Sequence, residues 1–151
     1  MNNMEKNIIA KKVFTSSWAA FYLYYVAIAI CWLGPQLNPA FAERIFLSQE
    51  LGLLLGLLLL AGVLYLKYGQ QYEMDTEGVK KNYRYPPRQE LIRWHEIEKI
   101  SVRAGLTQTL LRIGNIAIQP RQGEAMVWYG LESPKLVKTF LERGLDESTA
   151  V

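Results

Sequence analysis

The 151-residue sequence contains one cysteine and one histidine, and each scarcity excludes a kind of site. A single cysteine, Cys31, cannot supply an intrachain disulfide framework or a cysteine-ligated zinc or iron–sulfur centre. A single histidine, His95, cannot build a histidine-rich metal site. We therefore expect no metal and no cofactor, and most redox chemistry is excluded with them.

Charged residues are missing from two long stretches of the sequence. None occurs from Val13 to Ala42 or from Leu51 to Leu66. A helix of roughly 18 or more apolar residues can cross the ~30 Å hydrocarbon core of a bilayer. The second stretch reaches this length as part of a run from about Phe46 to Leu66, which carries only Glu50 near its start. Although half of the residues are hydrophobic, the mean hydropathy is only +0.01. The average therefore combines two apolar spans with a charged, water-facing domain.

The first apolar stretch has a competing interpretation as a secretory signal peptide, because lysines precede it. It is longer than the ~7–15-residue apolar region of a signal peptide, and it ends in WLGPQ rather than in a small-residue cleavage site. We therefore predict a retained transmembrane hairpin over residues 13–68, with spans of about 14–34 and 46–67. Pro35 is expected to end the first span, because proline lacks the amide hydrogen that a continuing helix needs.

The basic residues near the spans predict their orientation. Residues 1–12 carry three lysines against Glu5, whereas the loop between the spans carries Arg44 against Glu43 and Glu50. Lys67 follows the second span. Since short cytoplasmic flanks are enriched in Lys and Arg, we expect a multi-pass membrane protein with both termini in the cytoplasm.

Two glycines of the second span are candidate helix-packing residues. Gly52 and Gly56 stand four residues apart and so lie on one helix face. Small residues at this spacing let two backbones approach closely in lipid. The partner could be the first span or a second molecule, and the sequence favours neither.

The remaining sequence predicts one small cytoplasmic domain over residues 69–145 and a flexible tail over 146–151. Two alternating runs flank Thr76-Glu77-Gly78 and predict a hairpin with glycine at the turn. Four further short strands are expected, and they cover residues 90–94, 99–106, 115–119 and 125–129. The middle of the domain is therefore a run of antiparallel strands.

The end of the domain changes to helical periodicity. Ser133 is expected to cap a helix through its side chain, with Pro134 at the first helical position. Gly144 is the expected stop signal. The predicted fold class is α+β, with a two-helix transmembrane hairpin followed by an antiparallel β-barrel or sandwich that a C-terminal helix caps.

Two stretches carry the most distinctive pattern of this domain, WHEIEKISV from Trp94 and AGLTQTLLRIGNIAIQP from Ala104. The first is similar to the exit from the third strand, and the second to the central signature, of the bacterial pleckstrin-homology-like (PH-like) domain of membrane-flanked proteins. The resemblance spans most of Tyr72 to Leu145. It implies a PH-like fold, and paired apolar spans beside the domain are the usual setting of this family. The resemblance therefore also implies a location in the bacterial inner (cytoplasmic) membrane.

Some positions of the second stretch also have a direct physical interpretation. Leu110 and Leu111 are expected to close the open end of the sheet, and Gly114 to permit a tight entry into the next strand. Trp128 and Tyr129 are interpreted as exposed aromatic residues of a contact surface. PH-like folds bind phosphoinositides, bind peptides or serve as scaffolds, so the resemblance alone does not select a function.

A basic cluster is the candidate lipid-docking site, and it comprises Lys80, Lys81, Arg84 and Arg88. Basic residues near a cytoplasmic leaflet are attracted to anionic lipid by about 1 kcal/mol per charge. The turn at residues 75–78 is acidic, where recognition of a specific phosphoinositide headgroup would need cations. The cluster therefore predicts general electrostatic docking or an ordinary solvated face.

No catalytic constellation accompanies these features. His95 has no nucleophile or second basic partner near it in sequence, so we interpret it as a turn residue. Nucleic acid is not expected as a partner, because basic residues exceed acidic ones by only two from Lys67 onward. We predict a non-enzymatic scaffold or accessory subunit that contacts membrane lipids and either a protein partner or further copies of itself. The alternative is a module that responds to anionic lipid through its basic patch.

Overall fold

The computed structural model describes residues 11–150, which divide into two compact units. Of the described chain, residues 11–20 and 70–150 belong to the first unit and residues 21–69 to the second. The structure contains mixed helix and sheet. The α-helices are α1 (Tyr22–Leu37), α2 (Pro39–Arg44), α3 (Gln49–Gly69), α4 (Leu106–Leu110) and α5 (Pro134–Thr149). Short 3-10 turns cover Trp18–Phe21 and Trp94–Glu96.

Two antiparallel sheets form the first unit. Their strands are β1 (Lys12–Phe14), β2 (Gln70–Met74), β3 (Gly78–Tyr83), β4 (Arg88–Arg93), β5 (Ile97–Arg103), β6 (Ile113–Pro120) and β7 (Met126–Glu132). One sheet has the order β1-β2-β3-β4 and the other β5-β6-β7. Apolar residues alternate inward on these strands, so the two sheets and α5 share one core. The predicted antiparallel strands are confirmed, with boundaries shifted by a few residues.

The first strand was not predicted. Val13 pairs with Glu73 and Phe14 with Tyr72, so the segment before the first apolar helix is an edge strand of the first sheet. The ring of Phe14 packs toward Trp128, with centroids 5.9 Å apart. The chain then follows β7, where the Ser17 amide donates to the Gly130 carbonyl at 2.6 Å. Residues 12–17 thus connect both sheets.

The first apolar helix differs from its prediction at both ends. It starts at Tyr22 rather than near residue 14, because the preceding apolar residues form β1 and a 3-10 turn. It also runs through Pro35 to Leu37, so the expectation that Pro35 ends the span was wrong. A proline removes one amide donor and leaves the carbonyl four residues earlier, that of Cys31, without its helical partner. That carbonyl faces Gly52 of α3, where the absent side chain leaves room for it.

Helix α5 begins at Pro134 as predicted, but the predicted N-terminal cap at Ser133 and the predicted C-terminal stop at Gly144 were both wrong. Ser133 adopts a left-handed conformation (φ 48°, ψ 57°) and makes no side-chain cap bond. The helix passes Gly144 and continues to Thr149, into the residues predicted as a tail. Gly144 is buried against the indole of Trp94, and a Cβ there would lie 2.7 Å from Trp94 Cη2. This glycine therefore permits close packing and does not stop the helix.

The predicted burial of one leucine pair and the predicted exposure of one tryptophan were also wrong. Leu110 and Leu111 were expected to close the sheet, but their side chains are 83% and 37% exposed in and after α4. Trp128 was expected on the surface, but it is fully buried and stacks on Tyr72 with centroids 5.3 Å apart. Its neighbour Tyr129 faces the other way and is half exposed. Strand alternation explains the pair, since one residue of any two neighbours must face the core.

Candidate functional site

The four residues of the predicted basic patch do not lie on one surface. Lys80 and Lys81 are neighbours on β3, so their side chains point to opposite faces of the sheet. Lys80 lies on the outer face, where its Nζ contacts Asp75 Oδ2 at 2.6 Å and Glu77 Oε2 at 2.9 Å. These hydrogen bonds raise the pKa of Lys80 well above its usual value. Its charge is therefore balanced within the turn that the sequence marks as acidic.

Lys81 lies on the inner face and is only 5% exposed. Its Nζ donates to the Val127 carbonyl of β7 at 3.1 Å. The same nitrogen lies 5.0 Å from the ring centroids of both Tyr83 and Tyr129, a distance at which cation–π attraction acts. Lys81 thus joins the two sheets, and its buried ammonium is not presented to a membrane surface.

The two arginines remain exposed. Arg88 forms an ion pair with Glu90 at 2.6 Å, and its guanidinium carbon lies 5.7 Å from the Tyr83 ring. Arg84 makes no ion pair with any residue between 11 and 150. Only these two of the four predicted docking residues have charges on the surface.

Glu73, Asp75 and Lys80, in β2, β3 and the turn between them, have shifted pKa values, and hydrogen bonds with neighbouring residues account for the direction of each shift. Hydrogen bonds from Lys11 and Asn82 lower the pKa of Glu73 against the opposing effect of burial. Burial raises the pKa of Asp75, but bonds from Lys80 and from the backbone amides of its own turn outweigh this and lower it. Perturbed pKa values often mark catalytic groups, yet here they accompany two sets of ion pairs, Lys11 with Glu73 and Lys80 with Asp75 and Glu77.

His95 lies beside two surface cavities, of about 380 and 590 Å³, that share Arg121 as a lining residue. Its side chain is 74% exposed, and its Nε2 lies 3.9 Å from Glu96 Oε1. The hydroxyls of Ser148 and Thr149 line the smaller cavity, but both donate to the Leu145 carbonyl at 2.7 Å. Both hydroxyls are therefore bound by the backbone and not by the histidine. Within residues 11–150 there is also no group of three or more side chains suited to hold a metal ion.

The larger cavity adjoins the free side of β4. Among residues 11–150, β4 is the last strand of its sheet and pairs there with β3 alone. Leu91 of β4 is 39% exposed and lines this cavity together with the buried Ile92. Pro120 and Arg121, at and after the end of β6, also line it. The arrangement is an unpaired strand edge beside an open groove.

The second unit contains the two candidate packing glycines. Gly52 lies against the Cys31 carbonyl and Gly56 against the Trp32 indole, so both occupy the contact between α3 and α1. The Trp32 Nε1 is buried there with no hydrogen-bond partner. Of the alternatives that the sequence left open, the described chain places these glycines in intramolecular packing.

Two helical segments are long and apolar enough to cross a membrane, Trp18–Leu37 and Gln49–Gly69. Only 11% and 17% of their apolar windows are buried within the described chain. Leu54, Leu57 and Leu58 are each more than half exposed. A core helix of a water-soluble protein would bury such side chains.

Comparison of the chain with protein-family models, with curated proteins and with solved structures finds no match. The family resemblance described above therefore stays a prediction from the residues that carry it.

Proposed function

We propose that this chain is a non-enzymatic integral protein of the bacterial inner membrane whose cytoplasmic PH-like domain binds another protein. In this role it is a scaffold or an accessory subunit of a membrane complex. Two antiparallel sheets with a C-terminal helix packed on β5 and β6 support the PH-like assignment. The ion pairs of Lys11 with Glu73 and of Lys80 with Asp75 support a structural rather than catalytic role for these charged residues.

The pairing of β1 with β2 supports the membrane topology. The chain leaves the first sheet after Phe14, forms both apolar helices and returns to the same sheet at Gln70. A segment that starts and ends on one domain must cross a bilayer an even number of times. Two crossings with both flanks on one side satisfy this condition, and the basic flanks favour the cytoplasmic side.

The unpaired edge of β4 is the observation that carries the proposed protein interaction. An extended peptide adds to an exposed sheet edge through its main chain, and neighbouring pockets select its side chains. The groove beside Leu91 offers such a pocket, and Arg121 is among its lining residues. The described edge of β7, in contrast, is covered by Ser16, Ser17 and Lys81.

Site-specific photocrosslinking in living cells tests this proposal. A photoreactive phenylalanine in place of Gln89, an exposed residue of β4, should give a defined protein adduct with the full-length chain. The same probe in place of Thr139 on the exposed side of α5 is the position control. Leu91→Asp should abolish the Gln89 adduct, whereas the matched change Leu136→Asp on α5 should retain it. An adduct with a second copy of the chain would identify self-association as the interaction.

The proposal fails if Gln89 and Thr139 give the same crosslinks and the detergent-extracted protein is a lone monomer. The alternative, docking on anionic lipid through the predicted basic patch, has weaker support. Lys81 is buried and Lys80 is held by two carboxylates, which leaves only Arg84 and Arg88 for such a surface.

A further inference from the structure

The connection between β5 and β6 carries the two most exposed leucines of the described domain. The side chains of Leu106 and Leu110 are 94% and 83% exposed. They stand four residues apart on α4 and therefore share one face of this short helix. Leu111 follows and is 37% exposed. Contiguous exposed apolar side chains mark surfaces that bind a partner or a membrane.

Hydrogen bonds fix the shape of this connection. The Gly105 amide donates to Gln108 Oε1 at 3.0 Å, and the Thr109 amide donates to the Gly105 carbonyl at 2.9 Å. At the end of the turn, the Ser133 amide donates to the Arg112 carbonyl at 3.0 Å. The backbone is satisfied without burial of the leucines, so their exposure is a property of the folded turn.

The charges around the leucines are basic. Arg103 precedes the turn and Arg112 ends it, and both are exposed. No acidic residue occurs between Lys99 and Gly123. Glu132 lies next to this end of the sheet, opposite Ile113 in the register, but it forms no ion pair with either arginine. The turn thus presents apolar side chains flanked by cations, which complements an anionic bilayer surface.

We propose that residues 103–112 form a membrane-docking turn that inserts Leu106 and Leu110 into the headgroup region of an anionic bilayer, while Arg103 and Arg112 contact lipid phosphates. The proposal rests on the membrane location given under the proposed function. Its occupant is lipid rather than protein because cations flank the exposed leucines on both sides, and an anionic bilayer presents the complementary negative charge directly above an apolar interior. The apolar spans also keep the turn near a bilayer, which favours even weak insertion.

Fluorescence of the full-length protein in lipid nanodiscs tests this docking. In a Cys31→Ser background, single cysteines replace Leu110, Gln122 or Leu57 and are labelled with an environment-sensitive dye. Leu110 reports on the turn, and Gln122 on an exposed turn elsewhere in the domain. Leu57 reports on the second apolar helix. Spin-labelled acyl chains near the headgroups should quench the dye at Leu110 at least threefold more than the dye at Gln122. Arg103→Gln with Arg112→Gln, or neutral lipid, should remove most of this difference.

The dye at Leu57 separates the two proposals. Quenching at Leu57 with equal quenching at Leu110 and Gln122 would overturn the docking turn and leave the membrane location intact. Absence of quenching at Leu57 by acyl chains that carry the spin label near their ends, at the depth of the middle of α3, would overturn both. A blue-shifted dye at Leu110 that acyl chains do not quench would show burial against protein, and it would also overturn the docking turn.

Discussion

Val13 pairs with Glu73 across two antiparallel strands, although both apolar helices lie between these residues in the sequence. The pairing makes the first sheet depend on residues from both sides of the helical segment. Lys11 strengthens the connection through an ion pair with the Glu73 carboxylate. The folding of the domain is therefore coupled to the return of the chain after α3.

This connection predicts a specific labelling pattern in intact cells. In the Cys31→Ser background, a cysteine at Phe46, which is 88% exposed between the helices, should react with a membrane-impermeant maleimide added from the periplasmic side. Cysteines at Val13 and Gln122 should react only after the inner membrane is opened. The measurement is gel-shift labelling of spheroplasts. Equal labelling at all three positions would contradict two crossings of the membrane.

Gly52 is predicted to be essential for the packing of α3 on α1. A Cβ at this position would collide with the Cys31 carbonyl, a backbone atom that cannot rotate away. We expect Gly52→Ala to lower the free energy of unfolding by about 1–3 kcal/mol, the usual cost of overpacking. Gly62→Ala on the same helix is the matched control, because a Cβ there would meet nothing within 4 Å. Denaturant titration of the reconstituted protein should show the difference, and equal effects of the two changes would contradict it.

Lys81 is predicted to stabilise the domain through its buried ammonium. Lys81→Met keeps most of the side-chain volume but leaves the Val127 carbonyl without its donor. We expect a loss of about 1–2 kcal/mol in the free energy of unfolding, the range for an unsatisfied buried acceptor. Lys99→Met, at an exposed position of β5, should change stability by less than about 0.5 kcal/mol. A urea titration followed by tryptophan fluorescence measures both, and a neutral Lys81→Met would contradict the structural role of this lysine.

The sequence alone was sufficient to predict an element where a turn or cap residue and the alternation of apolar residues indicate the same structure. Gly78 follows the acidic turn with φ +158°, a value that disfavours other residues, and it separates two alternating runs, so the β2–β3 hairpin was predictable. Pro134 similarly marked the start of α5. In both cases the pattern depends on neighbours in the chain and needs no knowledge of distant contacts.

The sequence alone was insufficient where contacts between residues far apart in the chain determine the secondary structure or the burial of a residue. Val13 and Phe14 continue directly into an apolar helix, and only their pairing with β2 makes them a strand. Lys81 appears as a surface cation until the other sheet places a carbonyl and two tyrosine rings beside it. Leu110 appears as a core residue because a leucine pair next to an alternating strand is typical of a core. The candidate basic patch fails for a local reason as well, because alternation along β3 places the adjacent Lys80 and Lys81 on opposite faces of the sheet.

The carboxylates of Glu73 and Asp75 predict a loss of stability in acid. Their pKa values are lower in the folded domain than in the unfolded chain, so their contribution is present above the unfolded pKa of about 4 and is lost as the pH falls through the lower folded value. The free energy of unfolding should therefore decrease between about pH 5 and pH 2. Asp75→Asn should make this decrease shallower, whereas Glu98→Gln, at an exposed position of β5, should leave its slope unchanged. Urea titrations at several pH values measure the slope, and an Asp75→Asn curve parallel to that of the unmodified protein would contradict the assignment.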